Sequence, residues 1–160
     1  MAITLSGLED LEVVALAEGL QLGRPAGLLV DADEHRLAYV VVSAGAVLDT
    51  SLVAPASAFS SLDGDTLALH GLAGLEIAFR DHAALALLRR DLRLIDLPVV
   101  TDGGEELGTL SDIELAQDGT VLAYVVRRSG VGRLLRAHRV PPGEVRSIGQ
   151  VMTVARGADA

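Results

Sequence analysis

The chain has 160 residues, half of them apolar, with a formal net charge of −9 and no cysteine. That length holds one ordinary domain or two small ones, with enough apolar material for a real core. The missing cysteines exclude disulfides, thiolate zinc and thiol catalysis, and the negative charge disfavours nucleic acid as a default partner.

Two Tyr and two Phe are the only aromatic residues, so the core must be built from Leu, Val, Ala and Ile. Stacking platforms for single-stranded nucleic acid need more exposed rings than this. All 13 basic residues are Arg. The first apolar stretch contains Glu9, Asp10 and Glu12 and lacks the basic start of a secretory signal. No run reaches the roughly 18 to 20 apolar residues that span a bilayer. These features predict a soluble, cytoplasmic protein with no transmembrane segment.

In chain order, the first notable element is "LAYVV" at Leu37 to Val41, written again at Leu122 to Val126. Sliding the chain by 85 aligns residues 19–45 with 104–130 without a gap. Gly19, Leu22, Gly23, Asp33 and Gly45 then meet Gly104, Leu107, Gly108, Asp118 and Gly130. One further residue of offset brings Ala54-Pro55 onto Val140-Pro141. The pattern is an internal duplication.

Each copy reads as strand. In the first, "DADEH" (Asp31 to His35) is a turn without glycine, and the run from Leu37 to Leu48 carries no charge. A half-buried strand needs one wet face, so the outer face of this copy is expected to be covered by a helix, the other copy or another subunit. Between the copies, "RDHAALALLRRDL" predicts one short helix over about 81–91. Asp81 is its N-cap, and Ala84, Leu85, Leu88 and Leu92 lie at helical spacing. Its apolar stripe is expected to cover a seam between the copies. In the second copy Asp118-Gly119 is a hairpin signal, followed by a β-branched run that ends at Arg127 and Arg128. Glycines 23 and 108 are expected at sharp strand bends or close backbone approaches.

The second copy, Gly104-Glu105-Glu106-Leu107-Gly108-Thr109-Leu110-Ser111-Asp112-Ile113-Glu114-Leu115 with Asp118-Gly119 and Val121 to Val126, resembles the PRC-barrel family. That family includes the cytoplasmic barrel of the photosynthetic reaction-centre H subunit and the C-terminal barrel of a ribosome maturation factor. The first copy is similar but divergent: Gly27 stands where Asp112 stands, and Pro25 replaces Leu110. The resemblance implies a mainly β fold of two tandem small PRC-like β-barrels joined by one short α-helix. The expected layout is a divergent barrel over 1–74, a linker over 75–94 and a second barrel over 95–160. It implies an interaction module, and none of the matched positions brings a catalytic role.

The sequence offers no chemistry of its own to set beside that. His35, His70, His82 and His138 are not spaced as ligands of one metal, and Asp31 to Glu34 lacks the distal Glu of a calcium loop. No nucleophile elbow or phosphate fingerprint is present. The expectation is no enzyme, no metal and no cofactor.

One charged feature stands out. From Val121 to Gly157 there are seven arginines and one acid, Glu144, so this stretch carries +6 and the remainder −15. Arg127, Arg128, Arg133, Arg136 and Arg139 are the candidate partner-binding residues. A solvated strand face explains them, as does docking to an acidic protein, and phosphate binding is a third reading. The preferred function is a non-enzymatic scaffold that docks a protein partner or itself, with room for peripheral association with a membrane complex. The alternative is an RNA- or ribosome-associated assembly factor that uses the arginine-rich face.

Overall fold

The computed structural model describes residues 3–45, 47, 50–90, 94–128 and 137–155. The chain divides into two compact units. The first comprises residues 1–91 together with 115–120, the second residues 92–114 and 121–160. Among the described residues the secondary structure is mainly β, as expected.

The first unit opens with β1 (Ile3–Thr4) and a five-residue helix, α1 (Leu5–Glu9), which the sequence pattern did not predict. Thr4 caps it by accepting the Gly7 N–H at 3.1 Å, and Leu5 and Leu8 are buried. Next come β2 (Val13–Ala15), β3 (Leu20–Gly23), β4 (Gly27–Asp31), β5 (Arg36–Ser43), β6 (Leu52–Pro55), β7 (Leu67–Leu69) and β8 (Glu76–Ile77). They form two open sheets, β3-β2-β7 and β4-β5-β6-β8. The β4–β5 turn closes without glycine because the Asp31 carboxylate accepts the N–H groups of Asp33 and Glu34, while His35 takes a left-handed φ of 51°.

The expected helix is present as α2 (His82–Arg90). Asp81 Oδ1 accepts from the N–H groups of Ala83 and Ala84, both at 3.1 Å, which is the N-cap geometry read from the sequence. The helix packs inside the first unit. Ala84 and Leu85 are buried with Val41, Val53 and Ala78, and Leu29, Tyr39 and Leu88 pack around them. The apolar outer face of "LAYVV" is therefore covered by α2, one of the three expected covers. The apolar stripe is occupied by this sheet of the first unit, where the sequence reading had it cover a seam between the copies. Residues 75–90, read as part of a linker, supply β8, a 3₁₀ turn (Ala78–Arg80) and α2 to this unit.

The second unit contains β9 (Pro98–Thr101), β10 (Glu106–Leu115), β11 (Val121–Arg127), β12 (Ala137–Val140), β13 (Val145–Ile148) and β14 (Met152–Val154). Their path is β12-β11-β10-β9-β14-β13, with β9 and β14 parallel. Its core holds Val99, Leu110, Ile113, Tyr124, Val126, Val140 and Met152.

The closed barrels expected from the resemblance do not form among the described residues. The second unit's path ends at β12 and β13, two four-residue strands. Pro141 and Pro142 join them through a 3₁₀ turn and offer no N–H to a ladder. The first unit follows the same order, β6-β5-β4 and β3-β2-β7 with β2 and β7 parallel, but it breaks between β3 and β4. In β10 the Leu110 N–H donates to the Leu97 carbonyl at 2.9 Å. Pro25, at the matching position, has no such donor, and the ladder splits there.

Candidate interaction surface

Arg127 and Arg139 lie on β11 and β12 of the second unit, and Arg128 directly follows β11. Val125 faces Arg139 across the ladder and Arg127 faces Ala137. Opposed residues share a face in an antiparallel pair, so Arg127 and Arg139 project from the same side. Arg127, Arg128 and Arg139 are exposed. Arg133 and Arg136 lie outside the described residues.

The backbone beneath this face is tightly held. Gly108 sits at a β10 bulge with φ +145°, and a Cβ placed there would lie 1.9 Å from the Arg127 carbonyl oxygen. The close approach expected at Gly108 is real. Gly23 also has positive φ but open space around it, so its role is the bend alone. Ser111 Oγ donates to the Val125 carbonyl at 3.1 Å, tying β10 to the arginine strand.

The face is not uniformly positive. Arg139 forms a close ion pair with Glu114 of β10, whose side chain is only 15% exposed. Arg146 lies 3.9 Å from Asp102. Sequence reasoning found the arginines but missed Glu114, because charge counted along one segment ignores a carboxylate on the neighbouring strand.

The repeated pentapeptide gives this face a counterpart by position. Under the 85- and 86-residue offsets, Glu114 matches Leu29 and Arg139 matches Val53. Both apolar residues belong to the cluster packed under α2. The face that receives a helix in the first unit is thus charged at the matching positions in the second, with Arg139 exposed.

The two tyrosines have also diverged. Tyr39 donates its hydroxyl to Asp81 Oδ1 at 3.1 Å. Burial, with help from that hydrogen bond and the negative charge beside it, pushes its pKa up to about 12. Tyr124 is fully buried, and burial alone pushes its hydroxyl up to about 12. The partner of the Tyr39 hydroxyl is thus a carboxylate from a different segment of the chain.

Asp81 is pulled both ways. Burial raises it, but the Ala84 N–H, the Tyr39 hydroxyl, Glu76 and the Ala83 N–H outweigh that and hold it below the usual carboxylate range. Hydrogen bonding to Asp81, followed by burial and repulsion, raises Glu76 above that range. These shifts follow from an N-cap and a neighbouring acid. Among the described residues no group of three or more His, Asp or Glu could hold a metal ion. None of their helices is long and apolar enough to cross a membrane.

The similarity to known families falls on the C-terminal part of the chain. Residues 89–160 match the PRC-barrel domain. The matched stretch contains β9 to β14 and all five candidate arginines. The PRC-barrel match does not extend over the first copy. No curated protein matches the chain.

Proposed function

We propose that this chain is a non-enzymatic interaction module of the PRC-barrel type, in which the arginine face of the second unit docks an acidic protein segment. The observation that carries this reading is the changed face: where the first unit packs Leu29 and Val53 under α2, the second has Glu114 paired with Arg139, and Arg139 and Arg127 stand exposed. A sheet face that elsewhere in the same chain takes a helix has the shape to take one from a partner. Its arginines select for carboxylates, which guanidinium forks bind in two-pronged fashion.

The first unit is proposed to be a diverged second PRC-like copy. Three things support this: the duplicated "LAYVV", the shared strand order, and the matching 3₁₀ turns after Pro55 and Pro141.

Affinity capture with nuclease treatment, at low and moderate salt, tests the docking role. The parallel bait carries Arg127→Ser, Arg133→Ser, Arg136→Ser and Arg139→Ser. A protein kept by the wild type at moderate salt and lost by the variant is the expected outcome. Recovery of nucleic acid that nuclease or salt removes would replace this reading with an RNA-associated role, since phosphate contacts weaken steeply with salt.

A further inference from the structure

The two described arginines that share one side of the β11–β12 pair are not equivalent. Arg139 of β12 forms an ion pair with Glu114 of β10, although β11 lies between those strands. Neighbouring strands lie about 4.8 Å apart, so these two backbones stand at roughly twice that distance and the side chains meet over β11. Arg127, on β11 itself, forms no ion pair among the described residues.

The partners of the pair also differ in exposure. The Glu114 side chain is 15% exposed and that of Arg139 is 64% exposed. A guanidinium carries five N–H donors, and one carboxylate uses at most two of them. Arg139 can therefore accept a second carboxylate from solvent while it keeps Glu114. Glu114 is the less free of the two, because separating it from Arg139 leaves a mostly buried charge uncompensated. An acid arriving at Arg139 thus meets Glu114 still in place, and the two carboxylates repel each other.

We infer that Glu114 sets the affinity of the arginine face: it neutralises Arg139 at close range and leaves Arg127 as the stronger anchor for an acidic segment. This inference rests on the docking reading above and adds its regulation. Along the sequence Arg127 and Arg139 count alike, whereas the β10 carboxylate makes them unequal. The face is tuned for weak, reversible docking, and one substitution away from the arginines should strengthen it.

The probe is a fluorescein-labelled decaglutamate peptide, followed by fluorescence anisotropy with the full chain at low salt, where exposed charges are least screened. The wild type should bind it, and Arg127→Ser should bind it more weakly. Glu114→Gln keeps the shape and removes the charge. It should bind about three- to fivefold more tightly, the scale of one exposed ion pair. Arg139→Ser should weaken the wild type less than Arg127→Ser does, yet should abolish the whole gain in the Glu114→Gln background. Glu114→Leu, which introduces the residue type of Leu29 at the matching position of the first unit, is a second variant that should give the same gain. Circular dichroism should show each variant folded. A pair that only holds Arg139 in place would give the opposite sign, with both Glu114 variants binding more weakly. Folded Glu114 variants that bind no more tightly than the wild type, while Arg127→Ser is still weakened, overturn this inference and leave the docking reading standing. Equal binding by the wild type and Arg127→Ser, or no binding by either, overturns the docking reading and this inference with it.

Discussion

Tyr39 and Tyr124 hold the same place in the repeated pentapeptide, and burial makes both reluctant to ionise, with a carboxylate adding to it at Tyr39. Tyr124 is fully buried, and the Tyr39 hydroxyl donates a hydrogen bond to the carboxylate that caps α2. Both are raised from 10.0 to about 12. A group whose folded pKa lies above its unfolded value contributes stability that is complete below the unfolded value. That stability is lost as pH rises through the folded value. The two tyrosines should therefore stay protonated at pH 10, and the fold should weaken between 10.0 and about 12. Absorbance at the tyrosinate band during an alkaline titration checks this, with circular dichroism following the fold. Ionisation of either ring near pH 10 in folded protein would contradict the burial described. The periodicity placed both rings on strands, but the carboxylate beside Tyr39 lies 42 residues away in sequence.

At the scale of elements, β10 depends on one glycine. Gly108 combines φ +145° with a carbonyl oxygen where any Cβ would sit. Gly108→Ala must displace the Arg127 backbone as well as adopt a conformation that L residues avoid. Each strained backbone residue costs roughly 1–3 kcal/mol. The expected loss in urea denaturation is therefore at least about 2 kcal/mol, accompanied by weakened hydrogen-exchange protection along β11. An unchanged urea midpoint would refute the close approach. The sequence spacing correctly marked this glycine as special. It also marked α2 and its Asp81 cap, because capping and helical periodicity are local. It did not predict α1, which is five residues long and shows less than two turns of pattern. Nor could local pattern say which sheet would take the stripe of α2.

At the scale of the whole chain, charge and connectivity are both uneven. The first unit holds fourteen acidic and five basic residues, the second eight of each, so the entire net charge of −9 lies in the first. The first unit is also discontinuous in sequence. Residues 115–120 belong to it: the Leu37 N–H donates to the Gly119 carbonyl at 2.8 Å, and the Leu62 N–H to the Gln117 carbonyl at 3.4 Å. Gly119 has φ +93°, and a Cβ there would lie 3.1 Å from the Leu37 carbonyl oxygen, so glycine suits this approach. Residues 1–91 alone lack these acceptors and uncover Leu37, which is otherwise fully buried. A buried amide without its partner costs about 1–3 kcal/mol. The fragment should unfold at distinctly lower urea than the same residues in the full chain, read by circular dichroism. An equal midpoint would show that the 115–120 segment contributes nothing to the unit.

The sequence by itself determined the repeated pentapeptide, the β class, a short helix over about 81–91 and its cap, the glycine turns and the arginine run. Each is a local pattern or a repeat that survives in one dimension. Only the tertiary structure decided that the sheets stay open, that α2 covers the face of the first copy, and that Glu114 meets Arg139. These outcomes rest on which strands become neighbours, and residues such as Leu29, Val53 and Leu85 reveal their shared purpose only when packing brings them together.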